Sequence, residues 1–356
     1  VVDHVGDEAV TDAHRRARDD LREAIVGYRV ASAIRAAVEL GLPSAVPDAG
    51  IPLGVLADRV GAPVDSMTRL VRALAAVGVF ALDDAGIVHR TPGSEVLDPT
   101  HPATLHDTVL LLTREHYDVW GRLTDAVRTG RPQWSAVFGG TYFDYAAETP
   151  DFARVLGTAN DEGAAALADE LHTTLVSRDV LAPSGRIVDV AGGTGYLLWE
   201  LLHRSPDASG VLVERPEAAP IPIPDDLADR AGVVYRDMFA DPLPRESDLY
   251  VIKHVLHNWP DADVLVVLRS VAAAMGPDSR LAIVERLPDE HRPTAREALS
   301  DLHMLVTLGG RSRTAEAFRA LLADAGLRVE SVTRLAAGPS LLLATRPSEA
   351  DPALTA

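Results

Sequence analysis

Apolar residues recur along this chain with two different periods, and the change from one to the other divides it. Between residues 11 and 41 they fall at helical spacing, at Ile25, Tyr28, Val30, Ile34, Ala37 and Leu40, until Gly41-Leu42-Pro43 ends the run. From Ile51 to His89 the pattern predicts a helix over 53–60, a turn at Gly61-Ala62-Pro63 and a helix over 65–77. Two short strands follow, 80–82 and 87–89, joined by Asp83-Asp84-Ala85-Gly86. Two short helices and a β wing make a winged helix-turn-helix arrangement. Helical spacing continues over 105–112, 117–129 and 150–174, interrupted by a loop that gathers Pro132, Trp134, Gly139, Gly140, Tyr142, Phe143 and Tyr145. That loop is read either as a lid or substrate wall, or as a segment pinned to the core by its aromatics.

After Arg186 short apolar runs alternate with helical ones. Strands are predicted at 187–190, 210–213, 232–235, 248–252, 281–285, 327–333 and 340–345, and helices at 196–204, 224–230, 261–275 and 314–325. Such alternation implies an α/β domain with a doubly wound parallel sheet. The last two strands lack a helix between them and suit an antiparallel edge pair. The expected organisation is a helical, winged-helix domain over 1–104, connecting helices over 105–180 that contribute to a substrate pocket, an α/β domain over 181–347 and a flexible tail at 348–356.

Composition narrows the function. A chain of 356 residues exceeds the usual single core, and 47% hydrophobic with 24% charged residues is ordinary for a globular protein. No apolar run is long enough to span a membrane, the opening Val1-Val2-Asp3-His4 lacks a secretory pattern, and there is no cysteine, so a cytoplasmic protein is expected. The net charge of −18 argues against nucleic acid as a partner. The second winged-helix segment offers Arg69 and Arg72 but also Asp65, so it is expected to pair two subunits rather than to bind DNA. Among 34 basic residues a single lysine occurs, Lys253.

The chemistry centres on Ile187-Val188-Asp189-Val190-Ala191-Gly192-Gly193-Thr194-Gly195, a β-branched run that breaks into a glycine turn before a helix. Strand, glycine turn and helix present backbone N–H groups to a nucleotide-like ligand. A dinucleotide fingerprint needs a third small residue, and that position is Leu198. Glu214 ends the next apolar run, where an acid meets a ribose diol in such folds. After the third strand, Arg236-Asp237-Met238-Phe239 offers a carboxylate and apolar bulk suited to an adenine, although a lone Asp is also a common turn residue. After the fourth strand comes Lys253-His254-Val255-Leu256-His257-Asn258-Trp259-Pro260-Asp261.

The acid with glycines at alternate positions (Asp189, Gly193, Gly195, with Ala191 for the usual Gly) resembles the first motif of S-adenosylmethionine-dependent methyltransferases. The Lys253-to-Trp259 segment is similar to the Lys-x-x-x-His-Asp/Asn-Trp signature of the plant-type small-molecule O-methyltransferases and their bacterial relatives. Glu285, the run Asp301-Leu302-x-Met304-Leu305, and Gly309-Gly310-Arg311-Ser312-Arg313-Thr314 agree in order and spacing. The resemblance covers nearly the whole chain. It implies a Rossmann-like class I methyltransferase domain, a winged-helix homodimer and S-adenosylmethionine as cofactor. It carries Asp189, Gly193, Gly195, Glu214, Asp237, Met238 and Lys253 to the cofactor, His257 to the catalytic base and Glu285 to the carboxylate that orients it. Tyr142, Phe143, Asn258, Trp259 and His303 are then expected around a small aromatic acceptor.

The chemistry asked of these residues is simple. A phenol of pKa about 10 must lose its proton as the new bond forms, and an imidazole near pKa 6.5 accepts it at neutral pH. Such base catalysis is worth about 10²–10⁴ in rate. His254 is a competing base. Two departures from the family pattern bear on the reading. Ser312 stands where plant-type members carry a second catalytic carboxylate, and His303 stands where they often carry Met. No metal ligand set is expected, but two histidines in one pocket leave open an alternative, metal-assisted or C-methylating chemistry through His257 and His303. Family members that have lost methyl transfer, and a winged-helix DNA regulator that binds a ligand, are the remaining alternatives.

Overall fold

A computed structural model describes residues 11–347, so the tail expected at 348–356 lies outside the described residues. The backbone divides into two compact units, with the boundary between Thr113 and Arg114.

In the first unit, Thr11 caps a long helix, Asp12–Glu39, by accepting from the backbone N–H of His14. The helix stops at Gly41, whose φ of +68° is the left-handed conformation that glycine tolerates. Helices Leu53–Arg59 and Val64–Ala76 follow, the latter burying Met67, Val71 and Leu74. Strands β1 (Ile51–Pro52), β2 (Phe80–Leu82) and β3 (Ile87–Arg90) form an antiparallel sheet with β3 in the middle. The hairpin β2–β3 was legible as the wing. The two residues of β1 carry no period and were not. Arg69 pairs with Asp65 at 3.1 Å along its own helix, so that face is not a free basic surface. Leu21, Ile25 and Tyr28, at i, i+4 and i+7 of the first helix, are exposed.

The second unit opens with helices and ends in a seven-stranded sheet. Sequence periodicity gave two long helices here that the structure breaks. Glu115–Trp120 and Leu123–Thr129 are separate, with Gly121 between them. Likewise Pro150–Asp161 and Ala164–Ser177 are divided at Gly163, which has a φ of +75°. The expected aromatic loop is instead two short helices, Trp134–Phe138 and Tyr142–Glu148, the second capped by a reciprocal Thr141–Asp144 box. Conversely, the helix predicted at 224–230 is only a 3₁₀ turn, Asp225–Leu227, preceded by a stretch that Pro220, Pro222 and Pro224 keep out of helix.

The sheet strands are β4 (Arg186–Val190), β5 (Ser209–Glu214), β6 (Ala231–Tyr235), β7 (Leu249–Lys253), β8 (Arg280–Glu285), β9 (Arg328–Arg334) and β10 (Ser340–Thr345). They lie in the order β6-β5-β4-β7-β8-β10-β9, with β4 to β8 parallel and β10 antiparallel to both its neighbours. Alternate residues face two cores. Val188, Val190, Tyr250, Ile252, Leu281 and Ile283 pack with helices Asp261–Ala274 and Ala315–Asp324. Ile187, Leu249, Val251, Ala282 and Val284 pack with helices Ala164–Ser177 and Tyr196–Arg204. The strand order reverses at β4, so a crevice opens beyond the carboxyl ends of β4 and β7, where open α/β sheets bind ligands. Among the described residues, no helix is long and apolar enough to cross a membrane.

Candidate active site

Five parallel strands deliver their last residues to one edge. β4 runs into the glycine turn, β5 ends on Glu214, β6 leads to Asp237 and Met238, β7 ends on Lys253 and β8 ends on Glu285. Asp189, one residue from the end of β4, is 2% exposed, and neither carboxylate oxygen has a hydrogen-bond partner. Burial pushes its pKa up to about 7; Lys253 opposes that rise and Glu214 adds to it. Gly192 leaves room for this carboxylate, since a Cβ there would sit 2.4 Å from Oδ2 of Asp189. Gly193 (φ +63°) turns its N–H to Oε2 of Glu214 at 2.9 Å, and Gly195 (φ +79°) starts the helix. Burial raises the pKa of Glu214, against the pull of the Arg215 and Gly193 N–H groups. Asp237 is partly a turn residue, its Oδ1 accepting from the Phe239 N–H at 2.9 Å, while Met238 packs against the core.

Lys253 reaches the carbonyl of Asn160 at 3.1 Å. Burial lowers its pKa, and the charges of Asp161, Asp189 and Glu285 resist that change. Asp161 accepts from the Thr194 hydroxyl at 2.7 Å, so the carboxyl end of helix Pro150–Asp161 is tied to the glycine turn. Asn160, Asp161 and Thr194 gave no sequence signal beyond their neighbours, because nothing in helical spacing says which helix end lands on the turn.

The second half of the site is built on the 3₁₀ turn Leu256–Asn258. His257 presents Nδ1 to Oε2 of Glu285 at 2.6 Å, and its backbone N–H lies 3.3 Å from Oε1. Burial of Glu285 works against its charge. The hydrogen bonds of His257 and His254, and the charge these rings carry when protonated, outweigh it and hold the carboxyl far below the usual carboxylate range. With Glu285 ionised, Nδ1 of His257 is the donor, and its Nε2 keeps a lone pair. His254 is further from the same oxygen, at 3.5 Å, and has a φ of +53°. Burial lowers its pKa.

The turn itself is gripped by the 309–314 segment. A Cβ on Gly310 would lie 2.1 Å from the His257 carbonyl oxygen, so only glycine lets the two backbones meet. The Arg311 N–H donates to that same oxygen at 2.9 Å. Arg313, 3% exposed, donates to the carbonyls of Leu256 and Trp259, both at 2.7 Å, and to Asp261 at 2.8 Å. Ser312 makes none of these contacts, and its backbone N–H donates to Asp301 at 2.6 Å. Asn258 approaches the carbonyl of His254 at 3.5 Å.

Aromatic rings complete the surroundings. Phe143 stacks on Trp259 at 5.4 Å, and Arg215 lies over the other ring partner, Phe143, while donating to its carbonyl at 2.9 Å. Tyr142, expected as a pocket wall, is buried inside the cluster with its hydroxyl 3.2 Å from Nε2 of His116. His303 accepts at Nδ1 from the Trp120 indole N–H at 2.8 Å. That bond places the ring proton on Nε2 of His303. Among the described residues, ligand atoms of His254, His257 and Glu285 lie within 4.8 Å of one another, with the His257–Glu285 hydrogen bond at 2.6 Å inside that group.

Residues 120–328 match the O-methyltransferase domain, and residues 23–98 match the O-methyltransferase dimerisation domain. The chain belongs to the O-methyltransferase family. A mitomycin biosynthesis 6-O-methyltransferase of Streptomyces lavendulae is 35% identical, over 94% of this chain and 96% of that one. The structure of a mitomycin 7-O-methyltransferase superposes with a TM-score of 0.83 at 33% identity, covering 94% of this chain and 99% of the other. An O-methyltransferase from neocarzinostatin biosynthesis, solved with S-adenosyl-L-homocysteine and 1,4-dihydroxy-2-naphthoic acid, gives 0.71 at 27% identity, covering 89% and 96%.

The protein is therefore an S-adenosylmethionine-dependent methyltransferase with a class I fold, and its N-terminal unit is a homodimerisation domain. The exposed Leu21, Ile25 and Tyr28 belong to that unit. The crevice fits the cofactor on its own terms. Asp189 offers a buried carboxylate without a partner to a cationic group, and Gly192 keeps a side chain out of its way.

Proposed function

We propose that this enzyme methylates a phenolic hydroxyl of an aromatic natural-product intermediate, with His257 as general base. The observation that carries the reading is the 2.6 Å contact between His257 and Glu285. It fixes one tautomer, directs the basic Nε2 away from the carboxylate and stabilises the imidazolium that forms when the hydroxyl proton arrives. Glu285 stays ionised throughout, so it orients the ring and takes no proton itself.

S-adenosylmethionine supplies an activated methyl group on a sulfonium. Asp189, Gly193, Gly195, Glu214, Asp237, Met238 and Lys253 are the residues that would hold it. Phe143, Asn258, Trp259 and His303 would surround the acceptor, with Tyr142 acting through His116. The remaining task of the protein is positioning, since a nucleophile held about 3–3.5 Å from its target gains much of the rate without further chemistry. The aromatic lining and the mitomycin and naphthoate relatives support a fused aromatic acceptor. A cytoplasmic setting belongs to this reading, in keeping with a chain that has no cysteine.

The test is methyl transfer to a panel of hydroxynaphthoates by wild type and His257→Ala, with S-adenosylhomocysteine affinity measured by calorimetry on both. The reading requires a rate loss of about 10²–10⁴ with affinity retained. A variant that keeps its rate would overturn it.

A further inference from the structure

His303 and His257 are wired in opposite senses. At His257 the carboxylate of Glu285 accepts from the Nδ1–H and leaves Nε2 as an acceptor. At His303 the partner is an indole N–H, which can only donate, so Nδ1 accepts and Nε2 carries the proton. Trp120 stacks alongside the ring at 6.1 Å, and His116 meets it edge-on at 4.8 Å, so the imidazole is fixed in plane as well as in tautomer. Burial, with the nearby charge of His257, pushes its pKa down to about 4, which keeps the ring neutral at working pH. Among the described residues its Nε2–H has no protein partner, and the side chain is only partly buried.

We propose that His303, locked by Trp120 as an N–H donor, reads a lone pair on the acceptor beside the hydroxyl that His257 deprotonates. The acceptor class is then narrower than a phenol. It is an aromatic hydroxyl flanked by a carbonyl oxygen, an ether oxygen or a pyridine-like nitrogen. The donor of His303 and the acceptor of His257 together fix which hydroxyl of a polyhydroxylated ring is presented, because a reversed molecule leaves both imidazoles unsatisfied. Trp120 is a positioning residue that acts through His303. This inference rests on His257 being the proton acceptor, but its test reads binding rather than turnover, so the two fail separately.

The probes are 3-methoxy-2-naphthol and 3-ethyl-2-naphthol, near-equal in shape and differing in one lone-pair-bearing oxygen. Each is titrated calorimetrically into full-length protein saturated with S-adenosylhomocysteine, for wild type, Trp120→Phe, His303→Phe and His303→Gln, with thermal unfolding confirming that each variant is folded. Wild type is expected to bind the methoxy probe at least tenfold more tightly. The preference falls to within twofold in Trp120→Phe and His303→Phe, and survives in part in His303→Gln, whose amide restores a donor. Nitrogen-15 spectra of the imidazoles should show His303 as the Nε2–H tautomer in wild type and a mixture in Trp120→Phe. Equal affinity for the two probes in wild type, or a preference untouched by Trp120→Phe, overturns the proposal. Failure of His257→Ala to lose turnover, with the probe preference intact, would instead remove the general-base reading and leave the role of His303 standing.

Discussion

Nδ1 of His257 lies 2.6 Å from Oε2 of Glu285, a carboxylate that ends β8 and is 2% exposed. Replacing it with the neutral Glu285→Gln keeps the shape but removes the charge that stabilises the imidazolium. The expected loss in kcat is about 10²–10⁴, with S-adenosylhomocysteine affinity changed less than twofold. The same pair sets an acid dependence. The folded-state pKa of Glu285 lies below its ordinary value of 4.5, so the carboxylate's contribution to stability is present above that value. It is lost as pH falls through the folded-state pKa. Thermal unfolding of wild type and variant should therefore converge as the pH is taken below about 4.

A methyl group on Gly310 would meet backbone on two sides, the His257 carbonyl oxygen at 2.1 Å and the Asn258 carbonyl carbon at 2.4 Å. No side chain can swing away to relieve that. Gly310→Ala should lose about 1–3 kcal/mol of stability and at least tenfold in kcat, because the turn that carries His257 has to move. Arg313→Lys keeps a charge but not the fork that joins Leu256, Trp259 and Asp261. A loss of about 2–4 kcal/mol in chemical denaturation is expected there. Cofactor affinity falling in step with kcat in Gly310→Ala would show that this segment does more than hold the base.

How far the sequence revealed this site depends on which residues sit on strands. The ends of β4, β5, β7 and β8 were legible because β-branched runs have sharp boundaries, and Asp189, Glu214, Lys253 and Glu285 stand at those boundaries. The antiparallel close of the sheet followed from the missing helix before β10. Helices were a different matter. Their period survives a break, so Gly121 and Gly163 divided helices that spacing alone had joined. Helix Ala295–Thr307 was visible only as a motif fragment around Met304. Trp120, His116 and Asp161 meet His303, Tyr142 and Thr194 across 183, 26 and 33 residues, and such pairings carry no local signal. Ser312 stands where plant-type members carry a carboxylate and meets Asp301 through its backbone N–H, while Gly310, Arg311 and Arg313 meet the turn that carries His257.

Lys253 is the only lysine of the chain, and its ammonium sits against Asn160 among the charges of Asp161, Asp189 and Glu285. Burial lowers its pKa, which leaves more free amine at mildly alkaline pH than a surface lysine would show. Acylation at pH 8, followed by peptide mass spectrometry, should yield one side-chain amine adduct. Saturating S-adenosylhomocysteine should slow that adduct at least fivefold. Labelling at an unchanged rate in the saturated protein would place Lys253 outside the cofactor crevice.

Asp189 makes the cofactor reading sensitive to pH in a way that can be signed in advance. Its pKa is raised from 3.8 to about 7 in the folded chain, so between those values the folded protein holds a proton that the unfolded chain has released. Stability attributable to this group therefore falls as pH rises through that window and levels off above it. Asp189→Asn, which has no proton to lose, should overtake wild type in thermal unfolding across the same range. A ligand ammonium beside the carboxylate reverses the balance and favours the ionised form. Titration with S-adenosylhomocysteine in buffers of differing ionisation enthalpy should then show proton release approaching one per subunit near pH 6, fading to none by pH 9. Release should be absent in Asp189→Asn, and Lys253→Met should move the whole profile to higher pH, because Lys253 is the cation that now holds the Asp189 pKa down. Proton uptake, or equal release in the Asn variant, would show that the carboxylate does not meet the cofactor's cation.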